Sequence, residues 1–351
     1  MRTSDFGRYA LAICVAVAML AGCGGGAQSQ LAPSGSFQRS TAQSPLGQLP
    51  EGLVTAATSG AAQTSVVTAT AQIGYVGILG GGPVYKHIPK NIEELKNSGF
   101  NELIVWSVEV GSTGDLNLNG EFPLTSEGDY IGNETYPDFP ADLKKIKRGT
   151  VKRVTFSIGS SNYGDWENIK ALVDSQGTGP DSILYKDFAA LKAALPLDAI
   201  DFDDENSYDS SSTIKFAVML GKLGYKVTMN PYTNSDYWTS VVSQINKKRA
   251  GTVDGIHLQT FAGGEGNSPC SRSGSKMDWN FGSVPVYPGV SDQPSAPPDL
   301  TPAEAKTAMK NWHTQCGITG GWLWIFDQIA GTNLVRKYAH AITSGVGGAA
   351  R

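Results

Sequence analysis

Between Ile73 and Ser344, short apolar runs alternate with longer stretches in which apolar residues recur every three or four positions. The short runs, rich in Val, Ile, Leu and aromatics, predict strands at Ile73–Leu79, Glu102–Val108, Val151–Ile158, Ala199–Asp203, Lys226–Asn230, Asp254–Gln259, Val284–Tyr287 and Trp322–Phe326. The amphipathic stretches predict helices at Pro89–Ser98, Pro140–Lys147, Asp165–Asp174 with Ser182–Ala194, Ser211–Leu223, Ser235–Lys248, Thr301–Cys316 and Asn333–Ile342. Strand and helix in alternation imply a parallel sheet. Eight repeats in roughly 270 residues fit a single closed (β/α)8 TIM barrel better than an open doubly wound sheet. The connection after Gln259 is long and Gly-rich, and loops of that kind carry function in such barrels.

The first fifth of the chain has a different pattern. Arg2 and Arg8 precede an apolar run from Ala10 to Ala21, too short to span a bilayer but of the length of a secretory signal's core. It ends in Leu20-Ala21-Gly22-Cys23, which resembles the bacterial lipobox, whose Cys is lipidated and becomes the mature N-terminus. The resemblance implies a lipoprotein signal over residues 1–22 and an acyl anchor on Cys23. It thereby implies attachment to a membrane of the bacterial cell envelope, at the outer membrane or cell surface. From Gly24 to Gln72 only Arg39 and Glu51 are charged and Phe37 is the sole aromatic, a composition unable to bury a core and expected to form a flexible tether. Residues 73–351 remain for the folded domain.

Charge and cysteine content narrow the possibilities. Lys and Arg total 28 against 32 Asp and Glu, a net charge of -4, which leaves no basic excess for nucleic acid. The four cysteines, at 14, 23, 270 and 316, have no metal-ligand spacing, so neither a metal nor another cofactor is expected. Cys14 falls within the signal, and Cys270 and Cys316 form a candidate disulfide in an exported segment, with two free thiols as the alternative.

The chemistry concentrates in Asp198-Ala199-Ile200-Asp201-Phe202-Asp203-Asp204-Glu205, at the end of the fourth predicted strand, which holds five of the 32 acidic residues. Side chains alternate faces along a strand, so Asp201, Asp203 and Glu205 share one face while Ile200 and Phe202 occupy the other. With the apolar pair under the outer helices, the acids line the barrel interior and rise to its mouth. Like charges so close raise the pKa of at least one member, as a general acid at neutral pH requires. An EF-hand loop starting at Asp201 is excluded, because Asn206 and Ser212 stand where Gly and Glu are needed.

The spacing Asp198, Asp201, Asp203, Glu205 resembles the Asp-x-x-Asp-x-Asp-x-Glu motif of glycoside hydrolase family 18, the chitinases and endo-β-N-acetylglucosaminidases. Ser157-Ile158-Gly159-Ser160 is similar to the family's Ser-x-Gly-Gly third strand. His257-Leu258-Gln259-Thr260-Phe261 resembles its Gln-Phe-Tyr sixth strand, and Gly321-Trp322-Leu323-Trp324 its eighth. The resemblance implies a retaining reaction on β-1,4 bonds beside N-acetylglucosamine, in chitin oligomers or the chitobiose core of N-glycans. In that reaction the substrate's own acetamido oxygen is the nucleophile, which one strand of carboxylates can serve. It implies Glu205 as acid and base, Asp203 as the group that orients the acetamido, and Asp201 sharing a proton with Asp203. Asp198, at the start of the strand, reads as structural. Trp324 is the candidate floor of the sugar site, with Gln259, Tyr232, Asn230, Met229, Tyr75, Trp106 and Phe261 as further candidates, and Trp322 is expected to pack one layer deeper. Phe261 stands where the family's pattern has Tyr, and Ser160 replaces the second Gly; the alternative expectation is a non-catalytic glycan-binding lipoprotein on the same barrel.

Overall fold

A computed structural model of the chain describes residues 73–161, 164–270 and 277–348. The expected signal, Cys23 and the tether lie outside them.

Eight parallel strands close on themselves: β1 (Val76–Gly80), β2 (Glu102–Val110), β7 (Arg153–Ile158), β8 (Ala199–Phe202), β9 (Lys226–Met229), β10 (Val253–Leu258), β11 (Val286–Ser291) and β12 (Gly321–Trp324). The closing pairing sets Val76 of β1 beside Gly321 of β12, while Gly77 lies beside Glu102 of β2. Around the strands run α2 (Pro89–Lys96), α3 (Phe139–Ile146), α4 (Asp165–Gln176), α5 (Ile183–Ala194), α6 (Ser210–Lys222), α7 (Ser235–Lys248), α8 (Pro302–Cys316) and α10 (Leu334–Gly345); two four-residue helices, α1 (Gly82–Tyr85) and α9 (Phe326–Ile329), follow β1 and β12. No helix among the described residues is long and apolar enough to cross a membrane.

The helix boundaries follow local chemistry. Ser182 and Asp209 accept from the backbone N–H groups of Tyr185 and Ser212 and so start α5 and α6. At α8, Thr301 and Glu304 form a reciprocal capping box with Pro302 in the first turn. Cys316, its last residue, is disulfide-bonded to Cys270, which stands just before residue 271 in the connection from β10 to β11; their Cα atoms lie 5.4 Å apart.

The sequence pattern differs from the fold in two places. Between β2 and α3 the chain makes two small antiparallel pairings, β3 (Leu116–Leu118) with β4 (Phe122–Pro123) and β5 (Thr125–Ser126) with β6 (Asp129–Tyr130), which their polar, Gly-containing sequence did not suggest. The seventh barrel strand, expected at Val284–Tyr287, runs from Val286 to Ser291. Pro288 and Gly289, poor strand formers by themselves, disguised it. Gly289 is required there because a Cβ would stand 2.4 Å from the Trp322 ring.

Most of the apolar core lies between the outer faces of the strands and the helices, and includes Ile200, Phe202, Trp166 and Phe216. The barrel interior holds a second, smaller cluster of Leu79, Ile104, Phe261, Tyr287, Trp322 and Ile325, with Trp106 and Trp324 packed against it. The remaining interior is polar: Glu102, Thr155, Ser157, Asp201, Thr228 and His257 are all buried. The inside of the barrel is therefore aromatic on one side and ionic on the other.

Candidate active site

Pairing in register sets Ser157 of β7, Asp201 of β8 and Thr228 of β9 side by side. Since Ile200 and Phe202 pack in the outer core, Asp201 faces inward, as alternation along a strand requires. It is fully buried and accepts from Thr228 Oγ1 at 2.5 Å, Ser157 Oγ at 3.0 Å, Asn230 Nδ2 at 3.1 Å and the His257 Nδ1 at 2.9 Å.

One step nearer the mouth, Asp203 is 4 % exposed and accepts from Gln259 Nε2 at 3.1 Å; the same amide donates to the Asn230 carbonyl at 3.2 Å. Burial, followed by the charges of Glu205, Asp201 and Asp204, holds the Asp203 carboxyl well above its ordinary pKa. The indole N–H of Trp106 lies toward Asp203 without completing a well-formed hydrogen bond and acts weakly in the other direction. Burial also raises Glu205, while a hydrogen bond from Gln259 opposes the shift. Tyr232 and Tyr208 stand close enough to Glu205 for its charge to raise both phenols, after burial as the main cause for each. Asp204, the remaining acid of the run, serves the backbone: it accepts from the N–H groups of Asn206, Ser207 and Tyr208 and shapes the turn that carries Glu205. Asp198 is structural in the same sense, accepting from the Val154 N–H and from Lys147 at 2.6 Å at the opposite end of the strand.

The wall facing the acids is aromatic. Trp106 and Trp324 meet edge to face with ring centroids 5.0 Å apart, and Phe261 packs on Trp322 at 5.4 Å and on Trp324 at 6.1 Å. Trp322 is 1 % exposed and lies in packing, whereas Trp324 is partly open. The Trp106–Ser107 and Trp324–Ile325 peptides are both cis. Asn119 holds the first of these segments, donating to the Trp106 carbonyl at 3.0 Å and accepting from the Ser107 N–H at 3.3 Å.

Two expected site residues lie elsewhere. Tyr75 precedes β1 rather than following it, so it sits at the opposite end of the barrel; its ring lies under Arg153 and its hydroxyl accepts from the guanidinium at 2.8 Å. Met229 faces outward, beside Phe202 in register and inside the main core, because it is one residue out of phase with the inward Thr228 and Asn230.

The sequence also concealed a column of charges beneath the acids. His257 Nε2 meets Glu102 Oε2 at 3.2 Å, and Glu102 Oε1 accepts from Arg153 Nε at 2.9 Å and Thr155 Oγ1 at 2.6 Å. Arg153 then clasps Asp254 with two 2.8 Å hydrogen bonds. Burial opposes a charge on His257, but the Glu102 and Asp201 carboxylates outweigh it and push its pKa up to about 10. Burial would raise Glu102, yet His257 and Arg153 pull it down to about 2. Glu102 is a lone charge in an apolar run, while Arg153 follows Lys152 and His257 shares its run with Asp254, so nothing in the sequence pairs them across the barrel. An irregularity between Val253 and Gly255 also shifts the register of β10, so the three-residue spacing of Asp254 and His257 misleads a simple alternation count.

No family model and no curated sequence matches the chain. Solved structures do match its fold. A fungal endo-β-N-acetylglucosaminidase from glycosyl hydrolase family 18 is similar over 76% of this chain and 99% of its own, at TM-score 0.56 and 16% identity. The catalytic domain of a hyperthermophilic chitinase from Pyrococcus furiosus is similar over 78% and 95%, at TM-score 0.52 and 12% identity. The catalytic domain of a family GH18 chitinase from a fern is similar over 77% and 99%, at TM-score 0.50 and 13% identity. The barrel of this chain is thus the fold on which those glycosidases are built.

Proposed function

We propose that the chain is a family 18-type glycoside hydrolase that cleaves β-1,4 bonds beside N-acetylglucosamine with retention of configuration. One observation carries this reading: Asp201, Asp203 and Glu205 rise in a single file to the barrel mouth, the two upper acids with raised pKa values and Gln259 between them. Asp203 and Glu205 both follow the end of β8 and approach the site from the same strand end, so they do not flank opposite faces of a sugar ring. A nucleophile supplied by the substrate's acetamido group fits that geometry. Glu205, whose carboxyl burial shifts toward the protonated form, gives its proton to the leaving oxygen and then takes one from water. Asp203 faces the acetamido nitrogen and places negative charge where the oxazolinium develops. Trp324 and Trp106 offer the faces on which the sugar stacks, and Tyr232, close enough to Glu205 to feel its charge, takes the part of the Tyr that Phe261 replaces.

Phe261 favours a second reading, a non-catalytic glycan binder, because it is 3 % exposed and offers only a ring where the family's pattern has a hydroxyl. Hydrolysis of chitobiose-linked fluorogenic substrates and high-mannose glycopeptides by the full chain, and by Glu205→Gln, separates the two. We further propose that Cys23 is acylated and tethers the enzyme to the cell envelope, on the lipobox-like run before it. Metabolic labelling with a tritiated fatty acid tests this: label retained in Cys23→Ser overturns it.

A further inference from the structure

We propose that His257 is a positioning residue which, clasped between Glu102 and Asp201, fixes Asp201 as a carboxylate, so that Asp203 and Glu205, rather than Asp201 and Asp203, are the pair that shares the working proton. The proposal rests on the hydrolase reading for its catalytic consequence, though its structural part stands on the protein alone.

The geometry leaves few alternatives. Both ring nitrogens of His257 face carboxylate oxygens, Nδ1 toward Asp201 at 2.9 Å and Nε2 toward Glu102 at 3.2 Å. A neutral imidazole would turn a lone pair on one of them. Glu102 is already committed as an anion, because it accepts from Arg153 and Thr155. At Asp201 the Asn230 amide can only donate, and the Ser157 and Thr228 hydroxyls fill the remaining oxygen lone pairs. A proton on Asp201 would have to lie against one of the two hydroxyls, turned round to accept, and would give up the carboxylate's attraction to the imidazolium. Asp203, one step up, has Gln259 as a donor and three carboxylates around it, Glu205, Asp201 and Asp204. The mobile proton therefore belongs between Asp203 and Glu205.

The groups packed around His257 do not supply another proton acceptor at its ring. Tyr287 and Trp322 flank it with centroids at 6.3 Å and 6.0 Å, and the cation Arg153 lies beyond Glu102 with its own partner, Asp254. Tyr208 and Tyr232 face the upper acids, not His257. Buried and out of reach of the glycan, His257 acts only through Asp201.

Nitrogen-15 and carboxyl carbon-13 NMR of the full chain tests the charge states, with assignments from His257→Gln, Asp201→Asn and Asp203→Asn. The expected result is a His257 ring protonated at both nitrogens from about pH 5 to about pH 8. Over that range Asp203 and Glu205 should titrate as a coupled pair. In His257→Gln, Asp201 gains a proton and no longer repels the pair. The upper limb of the kcat/KM profile on a chitobiose-linked fluorogenic substrate should then move down by about one pH unit, with KM within about twofold. A singly protonated His257 ring, an Asp201 that titrates together with Asp203, or an active His257→Gln with the wild-type profile overturns the proposal. If the wild-type NMR behaves as expected but no glycan is cleaved, the hydrolase reading fails and the charge assignment stands.

Discussion

Asp201, on β8, and Asp203, just past its end, have the same side chain, and their neighbours give them different work. Four donors surround Asp201, while Asp203 shares its burial with three other acids. The acids could be found in the sequence because their two-residue spacing is the period of the strand itself, and Gln259 and Trp324 because they close strands at the same end. Glu102, Arg153 and His257 could not be found that way, since each meets its partners only when strands separated by 51 to 155 positions come together. Removing one partner exposes what the column costs to leave incomplete. Glu102→Ala would leave the His257 imidazolium with Asp201 alone and the Arg153 guanidinium with Asp254 alone, and should lower the free energy of unfolding by about 3–5 kcal/mol, read from chemical denaturation. A loss under about 1 kcal/mol would show that the column contributes little to stability.

At the scale of elements, the site depends on how two neighbouring strands end. β8 stops at Phe202, and Asp204 gathers three backbone N–H groups to turn the chain and present Glu205. Beside it, Gly159 follows β7 with φ +94°, where a Cβ would stand 2.5 Å from the Asp203 carbonyl and from Trp166 Nε1. Gly159→Ala should therefore destabilise the fold by roughly 1–3 kcal/mol and reduce kcat more than it raises KM, because it moves the backbone of Asp203. An unchanged kcat in the folded variant would show that the strand end tolerates the shift. The alternation of strands and helices was plain in the sequence, since parallel strands buried on both faces read as continuous apolar runs. The small pairings after β2 were not, because segments of two or three residues are too short to show a periodicity. The span of β11 was displaced for a different reason, since Pro288 and Gly289 are poor strand formers by themselves.

For the molecule as a whole, the buried charges predict how stability follows pH. His257 has a folded pKa of about 10 against 6.5, so its contribution is complete below 6.5 and fades as pH rises toward 10. Glu102, at about 2 against 4.5, contributes above 4.5 and is lost as pH falls toward 2. Burial raises Asp165 and Asp187 to about 6 and Asp292 to about 7, and these too favour the folded state less as pH rises above 3.8 toward those values. Tm should therefore peak at about pH 5 and decline toward both about pH 3 and about pH 9; a Tm that rises between about pH 6.5 and about pH 9 would contradict this assignment of charges. The ionic column underlies the carboxylate file, the file and the aromatic wall meet at the barrel mouth, and the claim that ties them together is hydrolysis by Glu205. The most direct test is the turnover of a chitobiose-linked fluorogenic substrate by the full chain and by Glu205→Gln. The account predicts measurable cleavage that falls by about 100-fold or more in the variant while KM stays within a few-fold; cleavage that survives the substitution, or a wild-type chain that binds the glycan without cleaving it, would contradict it.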